Sequence, residues 1–326
     1  GRDTPFEFSY VDVEIDSGIA TVRLNRPEAM NALNVTLVSQ LGEAIDELNE
    51  RDDVSTIVLD GAGKAFVAGA DVKFFVDKIR QDSFQEVYDF TAHGHEVLNA
   101  IESSPKTTIA LATGLALGGG LELALACDYR VGTQRTQLRF PETSIGIYPG
   151  LGGTQRTTRI CGIGAARYAV LAGNFMDAGT ASALGLLTHL VESSEVSVTV
   201  TELALAGKPD ERYPGRPADA SNPVASFASA FYSDANMAAI ASGDAPPGFE
   251  AEDPHVARQL KSLSRTAPLA LQVASALLDQ AVATGDDLEA GLQLELDGLE
   301  AIFGTADTLE GLSALIEGRR PEYRGT

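Results

Sequence analysis

The chain has no tryptophan, three methionines and only two cysteines, Cys127 and Cys161, in 326 residues. Two cysteines cannot build the disulfide framework of a small secreted domain, so a reducing interior is the default and a cytoplasmic location is expected. Long apolar runs are missing too. No stretch approaches the ~20 apolar residues that a membrane-spanning helix needs, and no basic start leads into a hydrophobic signal region. Basic residues are few: 24 against 46 acidic ones, a net charge of −22, with lysine scarce beside arginine. A surface of that sign repels nucleic-acid backbones and anionic membranes, which argues against both as partners. The acidity is dispersed, a pattern that suits a high-salt cytoplasm, where ions screen self-repulsion. A starting methionine is also lacking. The chain opens Gly1-Arg2-Asp3-Thr4, so a processed chain or a piece of a longer polypeptide is expected.

What is present is an ordinary globular composition, 44% hydrophobic and 21% charged, in a chain long enough to bury a large core. Residues 10–15 alternate apolar and polar, turn at Asp16-Ser17-Gly18, and return over 19–24, the pattern of a hairpin. Leu37, Leu41, Ile45 and Leu48 then recur at helical spacing. Residues 56–59 read as a buried strand, 61–71 as a loop, 84–101 as a polar helix and 107–113 as a short apolar strand. Two further strands fall at 128–131 and 137–140. This alternation predicts an α/β core. After about residue 154 the patterns are helical. The stretch 207–254 is rich in Pro, Gly, Ser and Asp and reads as an irregular excursion with a short helix near Asn236. Beyond it, 256–278 and 286–316 read as helices. Their apolar stripes run through Leu269, Val273 and Leu277, and through Leu288, Leu292, Leu296 and Leu299.

One segment stands apart. Gly118-Gly119-Gly120 would cost a helix interior about 1 kcal/mol per residue relative to alanine. At a helix start the same glycines let bare backbone N–H groups approach a ligand. Glu122 follows among leucines and alanines, in a partly dry place. A second glutamate, Glu142, stands twenty positions on, between Pro141 and a turn at Gly146. Each alone could be a surface acid, or a first-turn glutamate complementing a helix dipole. Together, beside two turns, they mark where chemistry is expected.

Four motifs in order carry a resemblance. They are Asn25-Arg26-Pro27-Glu28-Ala29-Met30-Asn31-Ala32-Leu33, Ala68-Gly69-Ala70-Asp71, Gly118-Gly119-Gly120-Leu121-Glu122, and Pro141-Glu142-Thr143 running into Pro149-Gly150-Leu151-Gly152-Gly153-Thr154-Gln155-Arg156. In spacing and sequence they resemble the crotonase superfamily, over roughly residues 10–195 and again in the C-terminal helices. The resemblance implies a ββα spiral core over 1–195. It also implies a helical C-terminal oligomerisation region over 196–326, with an insertion near 207–255, that assembles trimers or hexamers. It implies reversible hydration of 2-enoyl-CoA thioesters to 3-hydroxyacyl-CoA. The backbone N–H groups of Ala70 and Gly119 would hold the enolate oxyanion, each worth ~3 kcal/mol. Glu122 would activate the water and Glu142 would protonate Cα. The segment of Ala68, Gly69, Asp71, Val72 and Lys73 would line the CoA moiety. Lys73, with Arg26 behind it, would offer cations to CoA in an otherwise acidic protein. No cofactor is expected beyond the CoA of the substrate.

Related readings remain open. Thioester hydrolases of the superfamily also resemble the chain near Pro141, and carry a long segment comparable to that leading from Phe231. They place aspartate after the proline corresponding to Pro149 and lack the first glutamate, whereas Gly150 and Glu122 stand here. A 3-hydroxyacyl-CoA hydrolase and a catalytically silent homologue are the alternatives. The chain also resembles the hydratase half of archaeal fusions with a 3-hydroxyacyl-CoA dehydrogenase, so a fused or associated dehydrogenase is an expected partner. His93 and His95 diverge on a helix, unlike a metal pair at i and i+4, and no Gly-X-Ser-X-Gly elbow is present. Neither a metal site nor a serine nucleophile is expected.

Overall fold

A computed structural model of the chain describes residues 7–326. The opening residues 1–4, read above for the missing methionine, lie outside them. The hairpin forms where alternation places it. Strand β1 (Val11–Asp16) pairs antiparallel with β2 (Ile19–Leu24) around Ser17 and Gly18, both at positive φ, the conformation a two-residue hairpin turn requires.

From there the chain winds. It passes through β3 (Thr56–Gly61) and β4 (Ala65–Ala68), then helices, then β5 (Thr107–Leu111) and β6 (Leu115–Leu117). The helix Gly119–Leu125 follows, then β7 (Tyr129–Gly132) and β8 (Gln137–Arg139), and later β9 (Met176–Asp177) and β10 (His189–Leu190). From β3 to β8 successive strands alternate between two sheets, one ordered β1-β2-β3-β5-β7-β10 and the other β4-β6-β8-β9. Each turn of this winding contributes one strand to each sheet, with helices between one turn and the next. This is the α/β spiral class expected, with helices following it.

The smaller sheet positions the site. Strands β4, β6 and β8 are parallel, and Ala68, Leu117 and Arg139 lie side by side at their C-terminal ends. The three segments leaving that edge are the ones carrying Ala70, Gly119 and Glu142. Close packing demands glycine here: a Cβ on Gly120 would collide with the backbone and side chain of Val67 on β4.

Several expectations need correction. The stretch 61–71 is not one loop. Ala65, Phe66 and Val67 are buried as strand β4, too short and alanine-rich to announce itself by alternation. Val72 and Lys73 belong not to a loop but to the first turn of the helix Val72–Arg80, which buries Phe75 and Val76. The expected helix 256–278 is two helices, Pro254–Ser264 and Pro268–Thr284, because Pro268 cannot continue a helix but can begin one. The expected helix 286–316 divides into Leu288–Asp297, Leu299–Phe303 and Ala306–Glu317. The segment 207–254 is less irregular than its composition suggests. It holds the helix Pro223–Phe231, capped by the Asn222 side chain, besides the short Met237–Ala241 near Asn236. Arg167, on the helix Ile163–Val170, anchors this region by bonding the Tyr232 carbonyl and Asp234.

Candidate active site

Glu122 and Glu142 reach the same cavity, about 310 Å³ in volume, from two different strand ends. Ala68, Gly69, Ala70, Val72 and Gly119 line it as well. Asp71 does not line it; its amide donates to the Leu33 carbonyl at 2.9 Å. Lys73 is exposed on the neighbouring helix, outside the lining. Arg26 is held back by a bond to the Ala32 carbonyl at 2.9 Å.

Two of the lining residues, Ala70 and Gly119, have backbone amides that no helix or strand bond engages. Gly119 occupies the first position of its helix, where no intrahelical partner exists. Ala70 forms an isolated parallel bridge with Leu33, through the Gly69 carbonyl and the Asp71 amide. Strand alternation therefore turns the N–H of Ala70 itself away from Leu33. The Gly69 carbonyl carbon, bonded to the Ala70 nitrogen, lies 3.9 Å from where a Cβ of Gly119 would stand. The two donors are neighbours.

The two glutamates differ in their surroundings. Glu122 is 2% exposed, and its Oε2 accepts from the amides of Leu151 and Gly153, each at 2.6 Å. Burial, then the charges of Glu142 and Glu295, push its carboxyl well above the usual carboxylate range; the two amides pull the other way. Glu142 is 6% exposed and begins a short 3-10 turn, Glu142–Ile145, closed by Gly146 in the left-handed conformation. Burial pushes its carboxyl up to about 8, against its own backbone N–H; Glu295 adds to the rise and Arg139 opposes it. Its Oε1 is buried with no hydrogen-bond partner. Gly118, at φ 51°, makes room for it, since a Cβ there would stand 3.0 Å from Glu142 Oε2. A pair of buried carboxyls with raised proton affinity is equipped to pass protons near neutral pH.

Beyond the glutamates the cavity is mostly apolar, with Arg139, Thr91, Ser144 and Tyr148 as its other polar side chains. Phe75, Phe90, Ile145, Leu299, Phe303 and Leu315 form its wall, with the Phe75 and Phe303 rings 5.5 Å apart. Leu299, Phe303 and Leu315 come from the C-terminal helices. None of the lining residues comes from 207–255, so that segment does not shape this cavity. Gly150 lines it, and a Cβ there would meet nothing nearer than Leu299 Cδ2 at 3.7 Å. Space alone does not exclude the hydrolases' aspartate.

Sequence reasoning missed Leu151 and Gly153 as the donors to Glu122, and Glu295, which charges the site from the helix Leu288–Asp297. Its signal was available: Glu295 falls three residues after Leu292 and four before Leu299, on the apolar stripe, where a glutamate needs a reason. Among the described residues no group of three His, Cys, Asp or Glu side chains could hold a metal ion. No helix among them is long and apolar enough to cross a membrane.

Residues 19–325 match the family described as enoyl-CoA hydratase/isomerase. The short-chain-enoyl-CoA hydratase of Clostridium acetobutylicum is 36% identical over 199 residues, covering 61% of this chain and 75% of that protein. The mitochondrial methylglutaconyl-CoA hydratase of Mus musculus is 31% identical over 313 residues, 96% of this chain and 81% of that one. The crystal structure of an enoyl-CoA hydratase from Rhodobacter sphaeroides shares the fold at a TM-score of 0.82 and 25% identity, over 97% of this chain and 93% of that one.

Proposed function

The chain belongs to the enoyl-CoA hydratase/isomerase family of enzymes, and on that premise we propose that it adds water reversibly across the double bond of 2-enoyl-CoA thioesters. The observation that carries the reading is convergence. Two buried glutamates, with Ala70 and Gly119, line one mostly apolar cavity.

In the proposed reaction the thioester oxygen sits between the N–H groups of Ala70 and Gly119. The ionised form of Glu122, which the two amide donors favour against burial, takes a proton from water while the hydroxyl oxygen bonds to Cβ. Electron density moves onto the thioester oxygen, where the two donors stabilise the enolate. Glu142, holding a proton because its carboxyl titrates at about 8, delivers it to Cα. The proton then passes from Glu122 to Glu142 and restores the pair, so one water is consumed. Dehydration runs the same steps backwards. CoA enters as part of the substrate, and no further cofactor takes part in this scheme. The segment from Ala68 through Lys73 is proposed to lie along the CoA moiety.

Thioester hydrolysis is disfavoured by Gly150, which stands where the hydrolases carry aspartate, and by Glu122, which they lack. The test is direct: crotonyl-CoA should lose its conjugated-thioester absorbance without release of free thiol. Glu122→Gln and Glu142→Gln should each slow this by ~10²-fold or more while leaving the circular dichroism spectrum unchanged. Thiol release would reassign the enzyme as a hydrolase, and near-wild-type turnover in either variant would end the two-carboxylate mechanism.

A further inference from the structure

Three consecutive amides beside the cavity are divided between two carboxylates. Those of Leu151 and Gly153 donate to Glu122, and the one between them, Gly152, donates to Glu295 Oε1 at 2.6 Å. The other oxygen of Glu295 accepts from the Thr154 hydroxyl at 2.5 Å. Glu295 is 0% exposed. His95, from the helix Phe84–Glu102, completes the grip. Its Nε2 lies 2.6 Å from the Gly150 carbonyl and 3.4 Å from Glu295 Oε1. Residues 150–154 are thus held from one side by Glu295 and His95, and from the other by Glu122.

Gly152 is in the left-handed conformation at φ 92°, and this lets successive amides point to opposite sides. Below the turn begins the helix Gly153–Cys161, whose positive end lies between the two carboxylates. A buried charge is costly unless its hydrogen bonds are made. Those of Glu295 are made by groups belonging to the turn that carries the donors of Glu122.

We propose that Glu295 is a positioning residue, which fixes the 150–154 turn so that the Leu151 and Gly153 amides hold Glu122 in its water-activating orientation. The proposal rests on the reading of Glu122 as the base in hydration. It makes a distant helix, Leu288–Asp297, part of the catalytic apparatus without touching substrate. Glu295 also acts through its charge, because it raises the proton affinity of both Glu122 and Glu142. The other charged or titratable groups around it are His95, Tyr148, Arg156, Arg159 and, on its own helix, Asp297. The Tyr148 hydroxyl donates to the Glu295 carbonyl. Arg156 is engaged by Glu102 and Asn99, and Arg159 by the carbonyls of Gly285 and Asp287.

Glu295→Ala and Glu295→Gln separate the two effects. Alanine leaves the Gly152 amide buried without an acceptor and frees the turn. It should lower kcat at least tenfold with KM within about threefold. Glutamine keeps an acceptor for Gly152 but removes the charge. It should recover most of kcat and move both limbs of the pH–rate profile to lower pH by about half a unit or more. A Glu295→Gln profile superimposed on wild type, or a Glu295→Ala kcat within twofold of it, would overturn the proposal. Should the alanine variant not fold, Glu295→Asp, which keeps the charge but draws the acceptor back from Gly152 by one methylene, decides: a kcat at least about fivefold below Glu295→Gln upholds the proposal and an equal kcat overturns it. A carboxyl titration by NMR on glutamate-13C-labelled protein reads the same coupling without turnover. Lower midpoints for Glu122 and Glu142 in Glu295→Gln uphold it, and unchanged midpoints refute it, even if the wild-type protein hydrates no enoyl-CoA and the functional reading falls.

Discussion

Two helices begin at glycines beside the same cavity. Gly119–Leu125 starts after Gly118 and Gly153–Cys161 after Gly152, both capped by a glycine at positive φ. They differ in what stands before them. The first leaves the Gly119 amide with no intrahelical acceptor, at a residue that lines the cavity. The second has the amides around its start committed to the protein's own carboxylates, Leu151 and Gly153 to Glu122 and Gly152 to Glu295. The same element therefore does two jobs. One N-terminus keeps a donor for a charge that arrives with the ligand, and the other neutralises and aims a charge that the protein always carries. Glu122 connects them, since it rides on the first helix and is held by the start of the second.

Adding one methyl group to each start tests the difference most severely. A Cβ at position 153 would fall 2.9 Å from Glu122 Oε2 and 2.9 Å from Pro149 Cβ, so Gly153→Ala must move the carboxylate or the turn. A Cβ at position 119 would meet Leu33 Cδ1 at 3.2 Å and Leu151 Cδ1 at 3.4 Å, the ends of flexible side chains, and the amide survives. Gly153→Ala should lose ~10²-fold in kcat, and Gly119→Ala no more than ~10-fold. Steady-state hydration of crotonyl-CoA by both variants, with thermal melts to confirm folding, reads the order. The reverse order would mean that the committed start does not aim Glu122.

A second difference is energetic. Glu122 has two amide donors, whereas Glu142 Oε1 has none. Burial pushes the Glu142 carboxyl up to about 8 in the fold, against an ordinary value of 4.5. A raised carboxyl binds its proton more tightly folded than unfolded. Wild-type stability attributable to Glu142 should therefore fall as pH rises from 4.5 and level off above 8. Glutamine does not titrate. Glu142→Gln should gain on wild type across that window by about 2–4 kcal/mol. Urea unfolding at pH 5, 7 and 9 measures it, and a difference independent of pH would refute it.

How much of this was legible depends on the range of the signal. Glu122 and Glu142 could be found because turn-formers flank them, Gly118–Gly120 before one and Pro141 with Gly146 around the other. The hairpin carries its alternation at nearly its observed bounds, and the stripe Leu37, Leu41, Ile45 and Leu48 falls within the helix Val35–Glu50. Strands β4 and β6 were not separated as strands. They are four and three residues long, rich in alanine and leucine, and their order comes from pairing with segments ~20–50 positions away. Glu295 bonds Gly152 and Thr154 across more than 140 positions. No local pattern specifies that partnership; only the misplaced charge on an apolar stripe hinted at it. The helix Pro223–Phe231 had a readable start in Asn222-Pro223, a capping side chain before a proline at the first helical position, masked by the composition around it.

The smallest expected effect asks from which side the ligand comes. If the uncommitted start at Gly119 receives the thioester, CoA should leave along the neighbouring segment through Ala70, past Val72, which lines the cavity. Lys73 follows it, exposed at the first turn of the helix Val72–Arg80. CoA carries several phosphate charges and the protein carries −22, so a single cation there offsets a repulsion that acts on binding, not on the chemical step. An exposed charge contributes little, about 0.5 kcal/mol, and salt screens it. Lys73→Ala should raise KM for crotonyl-CoA about two- to threefold at low ionic strength with kcat unchanged, and the difference should vanish near 0.5 M salt. A KM equal to wild type at low salt would place the phosphates elsewhere. A loss in kcat instead would mean that the helix Val72–Arg80 steadies the Ala70 amide, so that the uncommitted start depends on its neighbour as the committed one depends on Glu295.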